Sequence, residues 1–393
     1  MSSHFTETTR TSWFGRIKRA FTGIVMGVIL VLGSIGVLFW NEGRAVKTAN
    51  ALHEGAGLVQ TIDPLSLPAG AAGKLVHFTG NLLPSGRASD PLFSGISAPE
   101  GAIRLEREVE MYQWHEKRET RTKTNVGGSE ETVTTYSYAK KWSDRQIDSS
   151  RFKRPGGHEN PRMPARSETF GVPSGSVGQI NLAGSQFSNL GDAMAMALDD
   201  RVVNIVRGQF ADGRNVARNA NTILVRSSSG GDTVGDLRIR FLSADVDVIS
   251  VVGQLNGDRI VPFTASNGRK ISMFDAGALS AKQMFDDALA TNTMWTWLIR
   301  LGGFIAMFVG FKLIFSVVGV LGDIIPFIGD VFRFATGIAA FALAALISTV
   351  IIAIAWFYYR PLLSIGILLV GGVIAAAALH YGKARAKTQA RTA

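Results

Sequence analysis

The chain contains no cysteine. That excludes disulfides, thiolate nucleophiles and cysteine-based metal sites, and it leaves the redox compartment unassigned. A phosphate-binding loop is missing too: Gly73-Lys74 is followed by Leu75, which has no metal-binding hydroxyl, and the first glycine of the motif is absent. No Gly-x-Ser-x-Gly elbow occurs. The three His-Glu dipeptides, His53-Glu54, His115-Glu116 and His158-Glu159, fail as zinc-protease motifs. One helical turn on, each meets Gly57, Glu119 or Arg162 instead of a second histidine. They read as polar residues of surface or hairpin. Asp245 and Asp247 could face calcium, but aspartates at a strand end are ordinarily solvated. The sequence therefore points to no cofactor, no metal and no catalytic residue.

Charge is scarce in four long stretches. Ala20 to Trp40 is uncharged and almost wholly apolar, the length that spans a bilayer core. Apolar runs follow at 297–321, 331–357 and 361–380. The first run is too long for a signal-peptide core, and Phe39-Trp40-Asn41-Glu42 is a poor cleavage site, so a retained anchor is expected. Before it stand Arg10, Arg16, Lys18 and Arg19 against the single Glu7, and after the last run stand Lys383, Arg385, Lys387 and Arg391. Four spans put both basic tails on one side, the cytoplasmic one, and the middle of the chain on the other. These tails supply most of the formal net charge of +10, which argues against nucleic-acid binding.

The expected architecture is an α+β multi-pass membrane protein: four transmembrane helices plus a β-rich, antiparallel extracytoplasmic domain between spans 1 and 2. Its parts are a basic tail 1–19, span 20–40, domain 41–296, spans 297–321, 331–357 and 361–380, and a basic tail 381–393. Inside the domain, a helix continues over 41–56. A strand over about 103–117 and "TVTTYSYAKKW" make a long hairpin around the turn "NVGGSEE", with Tyr112, Trp114, Tyr136, Tyr138 and Trp142 as cross-strand aromatics. A helical pattern covers 191–208 through Met194, Leu198, Val202 and Ile205. The Asn-Gly pairs at 256–257 and 267–268 suit tight turns and predict an antiparallel meander over 234–274. Ser280 and Gln283 form a capping box that opens the helix toward the second span.

Within the spans, Gly23 with Gly27, and Gly302 with Ala306 and Gly310, form small-residue rows that let helix backbones approach. These rows could join the spans of one chain or neighbouring chains. Lys312, Asp323 and Asp330 are candidate intramembrane polar residues, with Arg333 beside them.

"EVEMYQWHE", "TYSYAKKWSD", "GHENP", "GDLRIRF", "GDRIVPF", "TWLIRLGGFIAMFVG" and "FYYRPL" resemble, in order and spacing, stretches of the transmembrane protein 43 (LUMA) family. The resemblance runs from the first span to the last. It implies a four-span protein with a large lumenal or external domain and carries over no catalytic residue. Animal members are associated with the endoplasmic reticulum and inner nuclear membrane and with emerin and lamins. A bacterial member would sit in the inner membrane without those partners.

The leading expectation is a non-enzymatic membrane scaffold or organiser, with membrane lipids and self-association or other membrane proteins as partners and no nucleic acid. The alternatives are a ligand- or lipid-sensing membrane protein, and a channel or transporter using Lys312, Asp323 and Asp330.

Overall fold

A computed structural model describes residues 4–210, 213–227, 231–362, 364–366 and 369. The chain divides into two compact units. One comprises Met1–Thr8, Ala51–Arg121 and Val133–Asp287; the other comprises Thr9–Asn50, Thr122–Thr132 and Ala288–Ala393.

The first unit is built on two sheets. Strands β1 (His4–Thr11), β2 (Leu75–Asn81), β3 (Ala102–Thr124), β4 (Glu130–Ser143) and β5 (Glu168–Gly171) precede a short helix, α2 (Asp200–Gln209). After it come β6 (Asn215–Asn219), β7 (Thr222–Arg226), β8 (Leu237–Asp245), β9 (Val248–Asn256), β10 (Arg259–Val261) and β11 (Met273–Ala276). One sheet runs β1-β4-β3-β8-β7-β6, with β5 also on β3. In the other, β9 lies between β2 and β10 and also pairs with β11. Thr122–Thr132, the far end of the β3–β4 hairpin, belongs to the second unit.

The expected hairpin is present, and its first strand runs on to Thr124. The meander is corrected. Although β8 and β9 are adjacent in sequence, they belong to different sheets, and the chain changes sheet at Val246-Asp247. The pattern explains why. Leu237, Ile239 and Phe241 alternate inward on β8, whereas Ile249, Ser250, Val251 and Val252 of β9 are all fully buried in succession. A strand buried on both faces is a central strand. Ser250 tolerates this because its hydroxyl donates to Gly277 O (2.8 Å) and accepts from Leu279 N–H (2.8 Å). Phe78, Phe93, Phe187 and Phe241 fill the core. Each such buried ring is worth about 1.5–3 kcal/mol over an exposed one.

The helical pattern expected over 191–208 is also corrected. Helix α2 begins only at Asp200, because Asp199 caps it by accepting from Val202 N–H at 2.8 Å. Met194 and Ala195 instead pair with β8. The Asn256-Gly257 turn forms between β9 and β10, with Gly257 at φ +64°. The capping box forms as well: Gln283 Oε1 accepts from Ser280 N–H (2.9 Å) and Gln283 N–H donates to Ser280 Oγ (3.3 Å).

The second unit is helical. Helices α1 (Trp13–Leu58), α3 (Ala281–Gly322) and α4 (Pro326–Tyr359) are each long and apolar enough to cross a membrane, and each overruns its expected span. Most of the fourth run, 361–380, lies outside the described residues, as does the whole tail 381–393. The N-terminal stretch 1–19 is not a plain tail, since 4–11 is a strand and α1 starts at Trp13. Helix α3 lies antiparallel to α1, and α4 turns back beside both. The close contact is Gly27 against Gly310, where a Cβ on Gly310 would stand 2.9 Å from Gly27 O. Around it Leu38, Met307 and Ala344 are buried together.

His77 of β2 is buried, with Nε2 2.9 Å from Leu279 O and Nδ1 3.2 Å from Thr61 Oγ1. Burial pushes its pKa below the usual 6.5, against the opposing pull of the Leu279 carbonyl. Below 6.5 the unfolded chain then binds more protons than the folded one, so stability falls as pH falls. Thermal unfolding of the full chain should shift to lower temperature from pH 7.5 to pH 5.5, and His77→Gln should flatten that part of the profile. A second expectation concerns the helix contact. Gly310→Leu should cost about 1–3 kcal/mol by overpacking, read as a lower unfolding midpoint in detergent. Gly302→Leu should not, because nothing lies within 4 Å of the Cβ position there.

Candidate functional site

Residues of four family-like motifs, EVEMYQWHE, TYSYAKKWSD, GHENP and GDLRIRF, come together in the first unit. Tyr112 packs on Trp142 (5.2 Å between ring centroids), and Arg238 lies 3.9 Å over the Trp142 ring. His158 is stacked on Tyr138 (4.0 Å) and meets Trp114 edge-on (4.7 Å), and Lys140 lies 4.8 Å over Trp114. Tyr136 sits beside Phe5 at 6.1 Å. What fastens the loop 157–161 to the sheet is Asn160. Its Oδ1 accepts from Trp114 N–H (2.7 Å) and its Nδ2 donates to Trp114 O (2.9 Å). One side-chain amide thus continues the ladder of β3 just past its last pairing with β8 at Met111. Glu116 accepts from Tyr138 Oη (2.7 Å) and from Lys153 N–H (2.6 Å). Burial, then this bond to Glu116, raises the Tyr138 pKa. His115 is pushed down by burial and by Lys141, against Glu116. In the remaining His-Glu pair, Glu54 accepts from Ser266 N–H (2.9 Å). All three dipeptides are thus placed in structural contacts, and among the described residues no group of three or more His, Asp or Glu could hold a metal.

A groove of about 440 Å³ runs beside β3, lined among others by Glu106, Glu108, Glu110, Asp144 and Glu168. Such a lining suits a charged ligand and not an acyl chain.

In the second unit, polar side chains gather at the two ends of the helix bundle. At one end Glu42 of α1 is 2% exposed. It accepts from Arg300 Nε and Nη2 of α3 (2.7 Å each) and from Trp356 Nε1 of α4 (2.8 Å). A bidentate guanidinium pair plus an indole satisfies the carboxylate that burial would otherwise strand. Next to it Gly43 lets Tyr359 come close: a Cβ there would stand 2.5 Å from the ring. Asn41 Nδ2 donates to Thr296 O (3.1 Å), Arg44 Nη1 to Asn292 Oδ1 (3.0 Å), and Asn292 Nδ2 to Ala45 O (3.0 Å).

At the other end Asp323 is fully buried and accepts from Arg16 of α1 and Arg333 of α4; Arg333 also donates to Asp330, which is exposed. From Arg300 to Asp323 helix α3 covers roughly 35 Å at 1.5 Å per residue. A bilayer core is about 30 Å thick. The two clusters are therefore spaced to sit at its two surfaces. Between these levels, apart from Lys18 and Arg19 directly after Arg16 on α1, Lys312 is the charged side chain on the three helices. It is exposed, with Nζ 5.8 Å from the Phe308 ring centroid.

The candidate small residues separate. Gly27 and Gly310 meet, and Gly23 lies in ordinary contact with Leu313. Ala306 is half-buried, and Gly302 faces open space. One residue on, Gly303 takes the packed position against Leu38. Asp323 and Asp330 share Arg333, whereas Lys312 stands apart from both. Sequence reading missed Glu42, Arg300 and Trp356. The usable signal was a charged or indole side chain at the matching end of each apolar run.

The model of the family described as "Transmembrane protein 43" matches residues 111–361. Similar proteins are transmembrane protein 43 of Pongo abelii and of Homo sapiens, each 32% identical with 88% of this chain and 87% of the relative covered. The transmembrane protein 43 homolog of Drosophila melanogaster is 28% identical, over 88% of this chain and 91% of its own. The chain belongs to the transmembrane protein 43 family. As a transmembrane protein 43 family member it is an integral membrane protein, and its Glu42, Arg300 and Trp356 tie three membrane-capable helices at one level. No solved structure matches it.

Glu42→Gln keeps the volume but leaves Arg300 without a counter-charge. Breaking a buried pair in this way costs about 3–5 kcal/mol. The purified variant should unfold at markedly lower temperature in detergent than the parent, and Lys312→Gln should not.

Proposed function

We propose that the chain is a non-enzymatic membrane scaffold that assembles with lipids or other membrane proteins, including copies of itself, with both termini cytoplasmic. The observation that supports this most is how the polar groups are used. Glu42, Asp323, Asn160 and Glu116 are each consumed in holding elements together. The outward faces of the three helices are apolar, with Leu32, Leu301, Ile338 and Leu346 among their exposed side chains. Such faces suit lipid or another helix. Basic flanks at both chain ends favour the cytoplasmic side for both.

The sensor reading has one observation behind it, the charged groove beside β3, which favours a soluble charged ligand over a lipid. The transport reading has Lys312 alone at mid-span, since Asp323 is enclosed by two arginines.

Native mass spectrometry of the chain released from lipid nanodiscs tests the scaffold. Oligomers, or retained lipid and protein at defined stoichiometry, are expected. A strict monomer free of lipid and partner overturns it.

A further inference from the structure

The far end of the β3–β4 hairpin is folded against the second unit's own helices. Asn125 N–H donates to Ser129 O (2.8 Å) and Gly128 N–H to Asn125 O (3.0 Å), closing a tight turn with Gly127 at φ +86° and Gly128 at φ +76°. Arg16, 8% exposed on the second turn of α1, donates through Nη1 to Gly128 O (2.8 Å) and through Nη2 to Asp323, and lies 3.8 Å from Glu130. Gly127 N–H donates to Ile324 O at the turn between α3 and α4 (3.1 Å). Trp13 Nε1 donates to Val320 O (2.9 Å), and its ring occupies the space that a Cβ on Gly128 would need.

The bonds of Arg16 to Gly128 and Asp323 are buried, and the Trp13 bond to Val320 is partly so. Asp323 is fully buried and its charge is balanced by Arg16 and Arg333. Withdrawing the turn would leave the buried Arg16 guanidinium without the Gly128 carbonyl, and the Ile324 carbonyl without the Gly127 amide.

We infer that the hairpin tip, Thr122–Thr132, is a clasp lodged on the membrane face where α1 begins, although its sequence neighbours belong to the segment between the first two spans. The inference rests on the proposed topology for naming that face cytoplasmic, but not for placing tip and N-terminus together. The strand leading to it, Lys117–Lys123, is exposed throughout and carries Lys117, Arg118, Glu119, Arg121 and Lys123. A strand of that composition does not lie against hydrocarbon. It reaches the clasp along water or protein.

The absence of native cysteine makes the test direct. Single cysteines are placed at Thr9, Val126 and Asn219, all exposed positions, in the full chain in sealed membrane vesicles of both orientations. Each variant is treated with a membrane-impermeant maleimide, and reaction after permeabilisation shows that the thiol is present and reachable. Thr9→Cys and Val126→Cys should react from one side at least tenfold faster than from the other, and Asn219→Cys from the opposite side. Reaction of all three from one side upholds the clasp and removes α1 as a span. Reaction of Val126→Cys from the side opposite Thr9→Cys, or from neither side before permeabilisation, overturns the clasp.

Discussion

A carboxylate buried where no water can reach it must be satisfied by its own chain, and the helix bundle depends on that constraint twice. Glu42 draws a guanidinium from α3 and an indole from α4 onto α1. Asp323 draws an arginine from each of α1 and α4 onto the end of α3. Apolar helices have little reason to prefer one another over lipid tails. Between the clusters the bundle holds by close backbone approach, Gly27 on Gly310 and Gly303 under Leu38. The ionic ends fix which helices meet and in what register, and the glycines let them meet closely.

The same economy governs the sheet unit. Arg107 is buried and spans Asp90 (2.6 Å), Glu168 (2.9 Å) and Arg166 O (2.8 Å), while its guanidinium lies over Phe93 and Phe170. Ser250 at the centre of β9 and His77 beside it are likewise fully engaged. Groups that a search for catalysis would flag, such as His158-Glu159 and His115-Glu116, lie in or beside the aromatic stack that joins the loop 157–161 to the hairpin. Chemistry and architecture compete for the same side chains, and here architecture has used them.

What the sequence disclosed followed from local rules. Uncharged length announced the first helix, alternation and paired glycines announced the hairpin, and Ser280 with Gln283 announced the start of α3. Local rules failed where a distant partner decided the outcome. Nothing near Val246-Asp247 says that the chain leaves one sheet for the other, because only the burial of β9 on both faces requires it. Nothing about Asn160 says that its amide will serve as a strand until Trp114 is beside it. Spacing put the small-residue row on Gly302, Ala306 and Gly310, yet the packed face runs through Gly303 and Gly310, since only the partner helix chooses which face is inner.

Asn160 also bears on how the protein ages. Asparagine deamidates when the next residue's backbone nitrogen closes a ring onto its side chain, and glycine in that place speeds the closure. Asn160 is followed by Pro161, whose nitrogen carries no hydrogen and is closed to that route. The amide that stands in for a strand is thereby shielded from conversion to a carboxylate, which could accept from Trp114 N–H but not donate to its carbonyl. Asn256 and Asn267, each followed by glycine at an exposed turn, have no such shield, so chemical wear falls first on the hairpin tips and spares the joint beneath the aromatic stack.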